Sequence, residues 1–473
     1  MIFSSYRFIF IFLPVVLLGY HLLRQTGRAA PVKGWLVAAS LVFYGVGQPD
    51  FLLGFVATLG VNYLILLGLR LWEGKWLRRL LLLGAVVWNI GLLVYFKYTN
   101  FFLQNLNWVL GTHIPFLRVI LPIGISFFTF QILAFTVSYY RGECQFPTLL
   151  DYGVFVTFFP QLIVGPVVRH EEVMPQITRD KLLRYDPHWI RRGLMLFSIG
   201  CAKKILLADP LIRYASAFYG GDVGRFSLVE TWVAVLAYVF AYYFDFSGYI
   251  DMARGLGCFF GVALPINFDS PYKARDFGDF WRRWNITISR FFNETVFSNL
   301  FHFGDGIFKL IFATVCTFLV SGLWHGAAWH YIAWGLVNGL LVCVANLRTL
   351  RDRKPLPKVL AIFLTFSIGA LVRVLFDANG LTQALHIYRQ LFRFGSLAQA
   401  GGLVTALAAF VKAQPMVTAI LLLSAGITFL APNSNFIMEK EEFSARDAVF
   451  SGALLALALF NMTQVSTFLY FNF

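Results

Sequence analysis

Long apolar runs recur along the chain from Phe8 to Phe460. Lipid cannot hydrogen-bond a backbone, so a chain that crosses it must be helical or close into a barrel. Barrel strands alternate apolar and polar residues, whereas these runs are continuous. The pattern therefore reads as an all-α polytopic membrane protein. Candidate spans are Phe8–Leu23, Trp35–Val46, Phe51–Leu71, Leu80–Phe96, Val119–Tyr139 and Gly193–Ala208. They continue with Leu228–Phe246, Phe308–Leu323, Ala328–Leu347, Val359–Phe376, Leu403–Leu430 and Ala448–Phe460. Several fall short of the ~20 residues of an upright crossing, so about eleven true crossings are expected. Charged residues make up 13% of the chain, half the ~25% of soluble domains. Aromatic residues reach 18%, with 52 Phe, more than interfacial belts require, which implies an aromatic-lined interior.

The net charge is +15. In a membrane protein this excess is first a set of cytoplasmic anchors rather than a nucleic-acid surface; a phosphate-bearing ligand on that face is the second reading. Arg24, Arg28 and Lys33 make one loop basic, and Arg70, Lys75, Arg78 and Arg79 another, while GQPD and Tyr98–Pro115 carry no Lys or Arg. The positive-inside rule then puts the N-terminus outside, and Arg169–Arg192, Lys273–Arg290 and Arg348–Lys358 inside. The first apolar run lacks a small-x-small cleavage site and reads as an uncleaved span. Cys144, Cys201, Cys258, Cys316 and Cys343 are far apart and have no metal spacing, so they read as packing residues.

Two apolar segments are too short or too broken to cross. Phe155–Val168 contains Pro160, Gly165 and Pro166, and Gly255–Asn267 leads into FDSPY. Both read as re-entrant or interfacial pieces, whose backbones must be covered by protein or by a wet cavity. No internal repeat or linker is visible, so residues 1–473 read as one domain.

The densest polar cluster is PINFDSPYKARDFGDFWRRWNITISR, Pro265 to Arg290. Trp281 and Trp284 bracket Arg282 and Arg283, with Lys273 upstream and Asn285 following. Guanidinium groups fork onto phosphates, so a coenzyme A thioester suits this face. From spacing alone, an amphipathic interfacial helix contacting headgroups is the first reading. Asp245 and Asp251 read as structural carboxylates, with Arg254 a local partner. His325 lies between Trp324 and Gly326 in SGLWHGAAWHYIAWGLVNGLL. A buried histidine there is either a hydrogen-bonded core residue or a general base kept neutral by its apolar surroundings. His330, five residues on, lies on another part of the helix, which argues against a metal pair. His302 and His386 have weaker claims.

The motifs converge. FSSYRFIFIFLP, LPIGISFFTFQ, FFPQLIVGPVVRHEE and RRGLMLFSIGCAKKILLAD come in order, followed by YYFDFSGYIDMARGLG, PINFDSPYKARDFGDFWRRW, SGLWHGAAWHYIAWGLVNG and the closing FLYFNF. With them the chain resembles the membrane-bound O-acyltransferase (MBOAT) family, in its bacterial alginate O-acetyltransferase-like branch. The resemblance implies a polytopic fold with funnels from both faces meeting near the membrane middle, at a histidine that His325 matches. It implies acetyl-CoA as cytoplasmic donor, no metal, and a bacterial inner-membrane location. The acetyl group would pass to an extracellular or periplasmic polysaccharide through an SGNH-hydrolase-type partner. His325 and Asn285 are then the catalytic pair, and Lys273, Arg282, Arg283 and Trp281 hold coenzyme A. The branch usually reads WRRWH where this chain has Trp284–Asn285. An amide cannot act as a base, but it can orient a substrate or donate to an oxyanion. The stretch after the motif also departs, which opens the acceptor: alginate, cellulose, peptidoglycan or another surface glycan, or a D-alanyl relay to teichoic acid. The rival classes are a transporter or flippase for a polysaccharide or acylated precursor, and a catalytically reduced assembly platform.

Overall fold

A computed structural model describes residues 1–184, 186–351, 354–395, 398, 401–462 and 468–469. Of the closing FLYFNF motif, Phe468 and Leu469 are described and the rest lies outside the described residues. Helix supplies almost all the regular structure, and the one β-pairing among the described residues is a single antiparallel bridge, Phe268 to Trp284. Seven helices are long and apolar enough to cross a membrane. The bent pair Leu403–Ala413 and Pro415–Leu430, which turns by 105°, brings the number to eight if it forms one span. The expected total of about eleven is not reached by this measure. The candidate spans Phe8–Leu23 and Val119–Tyr139 correspond to shorter helical stretches, Phe8–Arg24 and Ile125–Arg141, and helices of that length cross where the bilayer thins around them.

The chain divides into two compact units. The first comprises Met1–Cys201, Tyr249–Pro265 and Ile437–Asn472. Its interior is aromatic, as the phenylalanine content implies. Phe8, Phe12, Phe43 and Phe159 meet ring to ring at 5.4–6.2 Å, and Phe3 stacks on Tyr249 at 4.9 Å. Asn62 and Asn89, buried on neighbouring helices, donate to each other's side-chain oxygens at 3.2 and 2.7 Å, so two amides satisfy one another where no water is available. Residues 155–168 do break into helical fragments: one helix ends at Thr157 and a single turn covers Phe159–Leu162. This irregular backbone is buried from Phe155 to Val168, which meets the condition for non-helical chain at membrane depth.

Gly255–Asn267 differs from expectation. The helix Leu228–Phe259 runs through Asp245, Asp251 and Gly255 without a break, and only residues 260–267 leave it. Gly255 serves packing: a Cβ there would lie 2.6 Å from the Gly193 carbonyl oxygen, and one at Gly193 would lie 2.7 Å from that of Gly255. A Gly255→Val substitution is therefore expected to abolish accumulation of folded protein in membranes, as read by immunoblot and size-exclusion chromatography in detergent.

The second unit comprises Ala202–Gly248 and Ile266–Phe436. Its centre is a helical hairpin, Ile307–His325 and Trp329–Leu350, with Lys358–Asp377 packed against the latter. Gly322 and Gly335 let the hairpin close. A Cβ on either would lie 2.3 Å from a carbonyl oxygen of the opposite helix. The backbone needs only Gly326, Ala327 and Ala328 to turn back, which leaves His325 as the last residue of its helix.

Candidate active site

His325 is 7% exposed and walled by aromatic rings. Trp324, Trp334 and Phe376 approach its imidazole at 4.7, 5.1 and 5.0 Å between ring centroids, all edge-on. Such packing fixes the plane of the ring, which a general base needs before its proton affinity matters.

The polar cluster does not form one amphipathic helix. It folds as two short helices, Phe277–Arg283 and Ile286–Phe292, broken at Asn285. Asp276 caps the first, accepting from the Asp279 amide at 2.7 Å. The break is pinned to the extended segment before it. Asp269 donates its amide to the Arg283 carbonyl at 3.0 Å, and Ile286 donates to the Asn267 carbonyl at 3.1 Å. The side-chain oxygen of Asn267 accepts from both the amide and the hydroxyl of Thr287, at 2.9 and 2.8 Å. Between these ties Asn285 takes φ 45° and ψ 53°, a left-handed conformation that asparagine adopts at less cost than most residues. Its side chain is 3% exposed, and its Oδ1 has no hydrogen-bond partner among the described residues.

His325 and Asn285 line one cavity of about 510 Å³, a size that takes a cofactor-sized ligand. Trp281, Trp284, Arg282 and Arg290 line it too. Lys273 and Arg283 do not. The Lys273 ammonium donates to the Ala431 carbonyl at 2.7 Å. Arg283 is held by Asp279 at 2.8 Å, and its Nη1 lies 3.8 Å from Asp269. The Arg283 guanidinium is thus kept charged by the carboxylate hydrogen bond, but it is turned to internal contacts. Trp284 is buried, stacked between Tyr242 and Phe280 at 6.1 and 5.6 Å. The structure therefore brings His325, Asn285, Trp281 and Arg282 together and places Lys273 and Arg283 in structural contacts.

Two charged groups escaped the sequence reading. Lys204 is fully buried, its ammonium 2.6 Å from Asp245 and 2.9 Å from Asp209. Asp245 thus has a cationic partner 41 residues upstream. Arg373 and Asp377 pair along one helix, the guanidinium Nε 2.8 and 3.0 Å from the two carboxylate oxygens. The guanidinium also stacks on Tyr242 and Phe376, at 3.5 and 4.3 Å from their centroids. Phe376 is the ring that touches His325, so this pair braces one wall of the site. The rule that singles out His325, an ionisable group inside an apolar run, applies equally to Arg373.

Residues 76–368 match the family model described as MBOAT, membrane-bound O-acyltransferase family. The chain is 39% identical over 422 residues to the peptidoglycan O-acetyltransferase of Helicobacter pylori, covering 82% of this chain and 79% of that protein. It is 34% identical over 408 residues to the probable alginate O-acetylase of Pseudomonas aeruginosa, covering 84% and 76%. A teichoic acid D-alanyltransferase of Streptococcus thermophilus is 30% identical over 289 residues, covering 54% and 68%.

Proposed function

The chain belongs to the membrane-bound O-acyltransferase family, and from that premise we propose that it moves acetyl groups from acetyl-CoA to a polysaccharide outside the bacterial inner membrane. The observation that carries this reading is the meeting of His325 and Asn285 in one cavity. Two of its relatives point to the acceptor class, one named as a peptidoglycan O-acetyltransferase and one as a probable alginate O-acetylase. The donor enters from the cytoplasmic side, and an SGNH-type partner carries the acetyl group onward. The N-terminus faces outward.

In the proposed reaction an acceptor hydroxyl attacks the thioester carbonyl while His325 takes its proton. The carbonyl carbon gains the new C–O bond and loses its C–S bond, and the proton passes to the coenzyme A thiolate. Asn285 donates its amide to the oxygen on which negative charge develops. Arg282, with 71% of its side chain exposed, and Arg290 hold anionic parts of the donor at the cavity wall, with Trp281 beside them.

The direct test is coenzyme A release from acetyl-CoA by the purified chain in lipid with its acceptor protein or glycan. Release that depends on acceptor supports the reading. Transport of the glycan without thioester cleavage would overturn it in favour of a flippase. Asn285→Gly isolates the amide, because glycine keeps the positive φ without strain. Turnover is expected to fall by about 10²–10³, the usual effect of losing one oxyanion donor, with protein level unchanged.

A further inference from the structure

A second, smaller cavity of about 50 Å³ lies against the first, and Trp281 and Trp284 line both. One face of the helix Lys358–Asp377 forms its far wall: Thr365, Gly369 and Arg373 follow at four-residue steps. Trp334, whose indole touches His325, also lines it. The acetyl-transfer reading makes no use of this space. A water-sized group takes about 10–15 Å³ on this measure, so the cavity holds only a few non-hydrogen atoms. It is apolar on most sides. Polar residues on its wall include Arg373, Asn338 and Thr365, and the Trp281 indole N–H is buried with no hydrogen-bond partner among the described residues.

We infer that this cavity receives the end of the transferred acyl group, and that Gly369 and Arg373 restrict that group to a short chain without positive charge. The inference rests on the acyl-transfer reading above. With the thioester carbonyl between Asn285 and His325, the acyl chain has the Trp281–Trp284 wall beside it and the small cavity behind that wall. Gly369 sets the depth: a Cβ built there meets nothing within 4 Å, so a larger side chain enters the cavity rather than the backbone. Arg373 sets the charge. Its guanidinium lines the cavity directly. An aminoacyl group would meet a like charge there.

The test compares acetyl-, propionyl-, butyryl-, octanoyl- and glycyl-CoA as donors to the full chain in lipid with its acceptor protein or glycan present, reading coenzyme A release as kcat/KM. Wild type is expected to use the two- to four-carbon donors and to use octanoyl- and glycyl-CoA at least about 100-fold less well. Gly369→Val should lower the butyryl-to-acetyl ratio by about 10-fold or more, the discrimination typical of a pocket that loses room for a methylene. The double variant Arg373→Gln/Asp377→Asn, which removes both charges together and leaves neither alone, should raise the glycyl-to-acetyl ratio. If wild type turns over acetyl-CoA but both ratios stay within twofold of their wild-type values, the pocket assignment is wrong and the acyl-transfer reading stands. If wild type releases coenzyme A from no donor while properly folded, the acyl-transfer reading itself fails, and the pocket assignment with it.

Discussion

His325→Ala is expected to remove nearly all acyl transfer while leaving the protein in the membrane. General-base groups contribute about 10²–10⁴-fold, so polymer acetylation in cells carrying the variant should fall to background. The substitution leaves a gap among Trp324, Trp334 and Phe376. His325→Gln fills more of that space and serves as the packing control; it should be as inactive as the alanine variant, because an amide does not take the proton. Normal acetylation by either variant at normal protein level would remove His325 from the mechanism.

The largest expected loss of stability comes from Lys204. One buried ammonium serves Asp209 and Asp245 together. Lys204→Met keeps the length of the side chain and takes away the charge, which leaves two carboxylates at depth without their shared cation. Removing one partner from a buried ion pair typically destabilises by about 3–5 kcal/mol. The variant should fail to accumulate, or should aggregate at a much lower temperature in detergent. Lys204→Met combined with Asp209→Asn and Asp245→Asn should recover much of the loss, since no charge is then left without a partner. A single variant as heat-stable as wild type would show that the cluster contributes little.

The same cluster shows where reading a sequence stops. Continuous apolar runs reveal helices in lipid because the constraint is local: each backbone must satisfy itself. Lys204 lies in CAKKILLAD, where nothing marks it as the partner of an aspartate on another helix. Residues 255–267 read as a re-entrant or interfacial piece because the apolar segment is short and leads into FDSPY, whereas Gly255 lies within a helix and packs on the backbone of Gly193. His325 was legible as a polar oddity and by its motif. Asn285 was legible only through the family motif, since its conformation depends on the bridge between Phe268 and Trp284. The separation of Arg282 from Arg283 follows from adjacent positions on a short helix pointing different ways: one lines the cavity and the other meets Asp279.

The bridge at Phe268 and Trp284 has a consequence for how this site can evolve or be redesigned. It holds position 285 at positive φ whichever side chain stands there. Glycine suits that backbone, and asparagine, aspartate and histidine occur there several times more often than other residues. The main chain thus screens candidates before any chemistry is tried, and it passes a short roster that includes an amide, a carboxylate and an imidazole. Asn285→His should fold as wild type does, whereas a β-branched residue such as valine should not. A lineage can trade one catalytic vocabulary for another at this point in a single step, with the scaffold indifferent to the exchange.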